Sequence, residues 1–274
     1  MFLSKHIAIM HHMDKIDVSI VIVSWKVREL LNKCLESINS SRGDLQLEIF
    51  VVDNASNDGT VEMVKHDFPD VILIANHENA GFAKANNSAL KRARGEYVLL
   101  LNPDTEIQND TLIKSLEYMK RHSLCGALGL KMIYPDGRLQ PSVRRFPKLR
   151  PIILMLLKIP KILPNLKSIE NYLAKDFDYG REQTVDQIMG AYMFIPKAVL
   201  DKVGHLDERF FIWFEEVDFC RRLKSAGYEV RYFPDISIIH HGGKSFAQQA
   251  LISNQKMFFM SALKYFLKYA GKNH

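Results

Sequence analysis

Val18-Ser19-Ile20-Val21-Ile22-Val23 is a run of branched aliphatic residues broken by a single serine. With no polar alternation, it fits a strand buried on both faces. The apolar period then changes. Val27, Leu30, Leu31, Cys34, Leu35 and Ile38 follow the i, i+3, i+4, i+7 spacing of a helix. A second strand is expected over 47–52, ending at Asp53. The polar turn Asn54-Ala55-Ser56-Asn57-Asp58-Gly59 leads into a helix from Thr60. Ile72-Leu73-Ile74 reads as a third strand, 82–94 as a helix stopped by Gly95, and 97–101 as the fourth strand. This alternation predicts an α/β fold: a Rossmann-like, mostly parallel central sheet flanked by helices.

The second half is less regular. The pattern predicts a helix over 112–119, a strand over 125–133, and the turn Tyr134-Pro135-Asp136-Gly137-Arg138. Residues 185–196 return to the core, and a short helix over 197–203 ends at Gly204. A helix over 215–226 ends at Gly227, and strands follow over 228–233 and 236–240. The C-terminal run 246–270 reads as a helix with Ile252, Phe259, Leu263, Phe266 and Ala270 on one face. The expected organisation is an N-terminal leader over 1–16, one main domain over 17–245, and a C-terminal amphipathic helix over 246–274. Within the main domain, 17–105 is the nucleotide-binding half. Residues 106–245 are the acceptor-binding half, with a basic, apolar insertion over 138–180.

The chain has 274 residues, 47% of them hydrophobic and 25% charged, which suits a globular core and argues against disorder. The net charge of +6 is unevenly spread. Residues 138–175 hold nine Lys or Arg against one acid, Glu170, a net of +8, so the remainder carries −2. Basicity confined to one apolar segment argues against nucleic acid as a partner. Cys34, Cys125 and Cys220 are far apart and show no CxxC spacing, which points to reduced thiols in a cytoplasmic protein. No segment reaches the roughly 18 to 20 apolar residues of a membrane-spanning helix. Ile152-Ile153-Leu154-Met155-Leu156-Leu157, interleaved with Arg144, Arg145, Lys148, Arg150, Lys158, Lys161 and Lys167, suits peripheral contact with an anionic membrane. Arg144 and Arg145 are alternatively placed to bind phosphates.

Ligands on parallel sheets bind at the carboxyl ends of the strands. Four polar strand ends gather there: Ser24-Trp25, Asp53-Asn54, residues 76–81 and residues 102–104. Any one is an ordinary turn; four in register make a nucleotide site. Asp53 can accept from the N3–H of a pyrimidine. Asn79, Gly81 and Phe82 open a helix, and Asn86 and Asn87 could line base and ribose. Asp104 is a hard oxygen donor for Mg²⁺ or Mn²⁺ beside substrate phosphates, with Asn102 as a weaker neutral neighbour. His240, at the end of an apolar strand, can complete that site. Glu215, Glu216 and Asp218 follow the apolar run Phe210-Phe211-Ile212-Trp213-Phe214. They fit a helix N-terminus, but a carboxylate at the lip of an apolar pocket is also suited to general-base work. Glu216 is the first choice for the base and Asp218 the second. A metal-bound diphosphate facing a base is the arrangement that sugar transfer from a nucleotide-sugar needs.

Together, Val18-Ser19-Ile20-Val21-Ile22-Val23-Ser24-Trp25, Val52-Asp53-Asn54-Ala55-Ser56-Asn57-Asp58-Gly59-Thr60, Asn79-Ala80-Gly81-Phe82, Leu100-Leu101-Asn102-Pro103-Asp104, Phe214-Glu215-Glu216-Val217-Asp218 and His240-His241-Gly242-Gly243 resemble the inverting family 2 glycosyltransferases of GT-A fold. The stretch 134–147, Tyr134-Pro135-Asp136-Gly137-Arg138-Leu139-Gln140-Pro141-Ser142-Val143-Arg144-Arg145-Phe146-Pro147, resembles their rhamnosyltransferase-like branch, which builds bacterial surface polysaccharides. The resemblance implies a nucleotide-diphosphate sugar donor, with dTDP-L-rhamnose the first expectation, and a glycan or polyprenyl-linked acceptor at the inner face of the cytoplasmic membrane. It places Asp53 on the base, Asp104 in a degenerate DxD motif whose first carboxylate is replaced by Asn102, His240 at the metal or diphosphate, and Glu216 as base. Two other readings compete. A nucleotidyltransferase would want a Gly-rich loop after the first strand, where Ser24-Trp25-Lys26-Val27-Arg28 stands. A non-catalytic glycan- or membrane-binding module of the same fold would not need Asp104, Glu216 and Asp218.

Overall fold

The computed structural model describes residues 15–108, 110–163, 165–242 and 251–270. Nearly all of the expected leader lies outside them, and the C-terminal helix is described from Leu251. Strands β1 (Val18–Ser24), β2 (Leu47–Asp53), β3 (Ile72–Ala75) and β4 (Tyr97–Leu101) pair in parallel in the order β3-β2-β1-β4. Helices α1 (Arg28–Ser41), α2 (Thr60–Asp67) and α3 (Phe82–Leu90) make the crossovers. Helix α3 stops at Leu90, short of the expected 94. Gly95 is not its cap. A Cβ there would lie 2.5 Å from the Ser19 amide nitrogen, so this glycine lets the chain press against β1.

Beyond β4 the sheet turns mixed. Strand β11 (Tyr192–Pro196) runs antiparallel to β4 and to β6 (Cys125–Ile133). Strand β6 pairs in parallel with β12 (Glu229–His240), whose end pairs antiparallel with the short β5 (Thr105–Glu106). The two strands expected over 228–240 are one strand. Its pairing slips between Phe233 and Ser237, a bulge that accommodates Pro234, which has no N–H for the ladder. Strand β7 (Leu139–Gln140) folds back on β6, and β9 (Gln183–Val185) flanks β12. Strands β8 (Val143–Arg144) and β10 (Gln187–Ile188) form a separate ribbon. The remaining helices are α4 (Thr111–Arg121), α5 (Leu149–Leu156), α6 (Lys167–Tyr172), α7 (Lys197–Val203), α8 (Glu215–Ser225) and α9 (Leu251–Tyr269).

Alternate residues of each strand feed two cores, because successive side chains point to opposite faces. Ile20, Ile22, Val51, Leu99 and Phe194 meet Leu31, Leu35, Val64, Leu112 and Leu116 on one face. Val21, Val52, Val98, Leu100 and Ile195 meet Ala85, Leu90, Leu200, Phe219 and Leu223 on the other. Two buried faces explain why β1 reads as an apolar run without polar alternation.

A third cluster lies away from the sheet, where Ile152 of α5, Tyr172 of α6, Phe210, Phe214 and Val217 meet Ala262 and Tyr265 of α9. The buried face of α9 is not the one its pattern suggested. Ala262 and Tyr265 are buried, with Phe258, Phe266 and Tyr269 packed alongside, whereas Phe259 and Leu263 are exposed. Aromatic and apolar residues surround much of this helix, so periodicity alone does not choose its face.

Candidate active site

A cavity of ≈ 500 Å³ opens at the carboxyl ends of β1 and β4. The first half of the main domain, 17–105, contributes Trp25, Asn54, Asn79, Gly81, Phe82, Asn102 and Asp104 to its wall. The second half, 106–245, contributes Gln140, Ser142, Arg144, Tyr172, Gln187, Glu215, Glu216 and His240.

Asp104 and His240 come together through strand pairing. Thr105 of β5 sits opposite His240 at the end of β12, and the His241 amide donates to the Asp104 carbonyl at 2.9 Å. His240 Nε2 lies 3.3 Å from Asp104 Oδ1, and Asn102 Nδ2 makes a long 3.5 Å contact with the same ring nitrogen. Both Asp104 and His240 are buried. Gln140 Oε1 lies 2.7 Å from His240 Nδ1. A neutral ring that donates its Nδ1 proton to this oxygen turns its Nε2 lone pair toward Asp104. That is the orientation of a metal-ligating histidine fixed from behind. Among the described residues, no group of three or more His, Cys, Asp or Glu could hold a metal ion. A carboxylate and an imidazole fit a divalent ion that completes its shell with substrate phosphates, not one caged by protein alone.

The acidic turn is built on strained backbone. Trp213 and Phe214 have φ of 62° and 69°, and α8 begins at the next residue, Glu215. Left-handed conformation in a non-glycine residue costs about 1–2 kcal/mol. Phe211, just before, docks against the start of α3, where its carbonyl accepts from the Phe82 amide at 2.7 Å. Gly81, with φ of 82°, permits that approach, since a Cβ there would lie 2.6 Å from the Phe211 oxygen. Glu215 is buried and Glu216 half-buried, and the Oε2 of each is buried with no hydrogen-bond partner. Burial pushes both carboxyls above the usual range. Glu215 goes well above, because the Glu216 charge adds to burial, whereas Arg144 opposes the rise at Glu216.

The other expected residues take varied places. Asp218 lies outside the cavity and is fully buried. Its Oδ2 pairs with Arg222 at 2.8 Å, and its Oδ1 with Lys268 at 2.5 Å and the Tyr269 hydroxyl at 2.7 Å. Both oxygens are committed, which removes it as second choice for an open base. Asn86 is buried away from the cavity and donates to the Phe82 carbonyl inside α3. Asn87 is tied to Leu206 and Glu208. Ser24 and Asp53 do not line the cavity but adjoin Trp25 and Asn54, which do. Ser24 Oγ and Asp53 Oδ1 are buried without partners, while Asp53 Oδ2 accepts from the Ser56 amide. Asn79 Oδ1 accepts from the Gly81 amide at 3.0 Å and holds that turn. Arg145 is spent on Asp176 through two bonds of 2.8 and 2.7 Å, so of the two arginines only Arg144 lines the cavity.

Sequence reasoning missed Gln140, Ser142, Tyr172 and Gln187 as wall residues. Gln140 and Ser142 stood inside a quoted motif, but two-residue strands carry no periodicity to show which way a side chain turns. Ser142 Oγ, too, is buried without a partner.

A family model described as glycosyl transferase family 2 matches residues 19–177. N-acetylglucosaminyl-diphospho-decaprenol L-rhamnosyltransferase of Mycobacterium tuberculosis is 26% identical over 237 residues, covering 82% of this chain and 76% of that protein. Rhamnosyltransferase WbbL of Escherichia coli K12 is 27% identical over 254 residues, covering 88% of this chain and 91% of that protein. Among solved structures, S. aureus TarS 1–349 in complex with UDP-GlcNAc matches with a TM-score of 0.58 at 18% identity, over 92% of this chain and 67% of that one. Mannosyltransferase PcManGT of Pyrobaculum calidifontis, in complex with GDP-Man and Mn²⁺, matches with a TM-score of 0.57 at 18% identity, over 95% and 76%. These structural likenesses speak to the fold.

Proposed function

The chain belongs to glycosyl transferase family 2 and has its GT-A fold, and from that premise we propose that it moves a sugar from a nucleoside-diphosphate donor to an acceptor hydroxyl by one inverting displacement. One observation supports this most: the Asp104–His240 corner and the Glu215–Glu216 pair line the same cavity at the strand ends. Glu216 takes the proton of the acceptor hydroxyl. The freed oxygen attacks the anomeric carbon from the side opposite the diphosphate, whose bond to that carbon breaks, and configuration inverts. Glu216 suits the base role better than Glu215, because Arg144 favours its ionised form. Arg144 is also the wall cation best placed to meet phosphate charge. Asp104 and His240 would hold Mg²⁺ or Mn²⁺, which when bound would neutralise the leaving diphosphate. Asn54, Trp25 and Asn79 take the nucleoside end, with the buried Asp53 next to Asn54 behind that wall.

The names of the two rhamnosyltransferase relatives support a rhamnosyl donor, for which dTDP-L-rhamnose is our choice, and the decaprenol-linked substrate named for one of them supports a polyprenyl-linked acceptor. Among the described residues no helix is long and apolar enough to cross a membrane.

Calorimetric titration with a panel of nucleotide sugars, with and without Mn²⁺ or Mg²⁺, tests the reading. One donor should bind selectively and far more tightly with metal. Glu216→Gln should keep that affinity within about twofold and lose about 10²–10⁴ in kcat. Near-normal transfer by this variant would place the base elsewhere. No binding of any donor under either metal would remove the transferase reading itself.

A further inference from the structure

Glu216 Oε2 and Glu215 Oε2 have no hydrogen-bond partner, and the hydrogen bonds that these two carboxyls do receive come from backbone amides of the same turn, Trp213 and Glu215 for one, Glu216 and Val217 for the other. The carboxylates are therefore aimed by the backbone that carries them, the left-handed pair Trp213-Phe214 at the start of α8. L-residues rarely adopt that conformation, and it persists only where the surroundings over-determine it. On one side the surroundings are α3, through the Phe82 amide on the Phe211 carbonyl. On the other side they are the C-terminal helix α9.

Helix α9 grips this segment at four successive levels. Ser261 Oγ donates to the Ile212 carbonyl at 2.7 Å, and Lys264 Nζ donates to the Arg209 carbonyl at 2.6 Å. Lys268 bridges Asp207 at 2.7 Å and Asp218 at 2.5 Å, and the Tyr269 hydroxyl donates to Asp218 at 2.7 Å. Between these polar ties the Phe214 ring packs on Phe258 and Tyr265, each with ring centres 5.4 Å apart. Asp218 is the anchor. It is fully buried, and Arg222, which holds its other oxygen, also donates to the carbonyls of Val203, Gly204 and His205.

We propose that α9 is a clasp on the acidic turn, and that Lys268 and Tyr269, acting through Asp218, are positioning residues that set where Glu216 points for sugar transfer. The catalytic part of this rests on Glu216 being the base; the mechanical part does not. The geometry assigns Asp218, whose spacing from Glu216 makes it look like an alternative base, to the opposite task of holding the turn still.

The test uses the full chain with Lys268→Met, Tyr269→Phe and the double variant, and Lys268→Arg as the conservative control. Two readouts are taken. Amide hydrogen exchange over residues 207–218 reads the clasp without reference to activity, and should accelerate at least about tenfold in the double variant. Steady-state transfer and donor calorimetry read its consequence. For the double variant we expect kcat to fall about 10- to 100-fold while donor KM stays within about twofold and donor stoichiometry stays near one per chain. Lys268→Arg should recover most of the rate. A fall in kcat matched by an equal fall in stoichiometry is lost folding and overturns the positioning role, as does fast exchange with unchanged kcat. Unchanged exchange overturns the clasp. If the double variant does not fold, Tyr269→Phe, which removes one hydroxyl and keeps the ring, carries both readouts. If wild-type protein transfers from no donor, the functional reading fails, and the exchange result alone decides the clasp.

Discussion

Glu215 and Glu216 are neighbours in sequence with the same chemistry, yet the fold treats them differently. Both carboxyls are driven up by burial, but Glu215 also feels the Glu216 charge, while Arg144 stands by Glu216. The sign of the resulting pH dependence is fixed by linkage. A carboxyl whose folded-state pKa lies above its unfolded value, here 4.5, binds its proton more tightly when folded. Its contribution is harmless well below pH 4.5 and destabilises as pH rises from there through the raised folded value. Glu215→Gln should therefore melt with wild type at low pH and a few °C above it at neutral pH. Thermal scans across pH check this, and a variant that melts lower at pH 8 would mean Glu215 is ionised and well solvated there. At this scale the places of Asp104 and Glu216 on the cavity wall were legible, because each stands in an ordered motif at an element boundary. Asp218 was not separable from Glu216 in an acidic turn; the residues that commit its oxygens lie up to 51 positions away.

At the scale of elements, first-half helices and strands follow from hydrophobic period, since β1, β2 and β4 are buried on both faces and β3 is a half-buried edge strand. Departures come where a contact between elements outweighs the local pattern. Gly95 serves an approach to β1 and not a helix end. The bulge at Pro234 keeps one strand where the pattern suggested two. Helix α9 buries the face that meets Phe214, not the one that reads as most amphipathic. Gly81 is the same kind of residue at the active site. With φ of 82° and 2.6 Å between a hypothetical Cβ and the Phe211 oxygen, Gly81→Ala should destabilise by about 2 kcal/mol or more. Because the clash falls on the backbone that leads to Glu215, kcat should drop as well. Urea unfolding and steady-state kinetics measure both, and a variant of wild-type stability would show that α3 and the 211–214 turn can separate freely.

At the scale of the molecule, the basic, apolar insertion folds as α5 and α6 against the Phe210–Phe214–Tyr265 cluster. Its outer side leaves Leu149, Ile153, Leu157, Ile162 and Leu163 exposed, with Lys148, Arg150 and Lys158 also exposed. Phe259, Met260, Leu263 and Leu267 add exposed apolar surface on α9. Apolar side chains ringed by cations suit an anionic lipid surface, each cation contributing about 1 kcal/mol near the headgroups. The protein should co-sediment with vesicles containing anionic lipid, less so as salt rises. Reversing Lys148, Arg150 and Lys158 to Glu should cut binding at least about tenfold. Equal binding to neutral vesicles, or none to either, would count against membrane docking.

Local information sufficed for the α/β alternation, the parallel β3-β2-β1-β4 half and the order of the motifs, because period, turn chemistry and strand burial act over a few residues. The family itself was legible from those ordered motifs. The sequence already paired His240 with Asp104, but only the tertiary structure decided that they meet because β5 lies on β12, that Gln140 bonds that imidazole, and that Arg144 stands by Glu216 and not Glu215. It also decided that Asp218 belongs to the C-terminal helix and not to the cavity. Each of these joins residues tens of positions apart, and a partner at that distance leaves no mark on the local pattern of either segment.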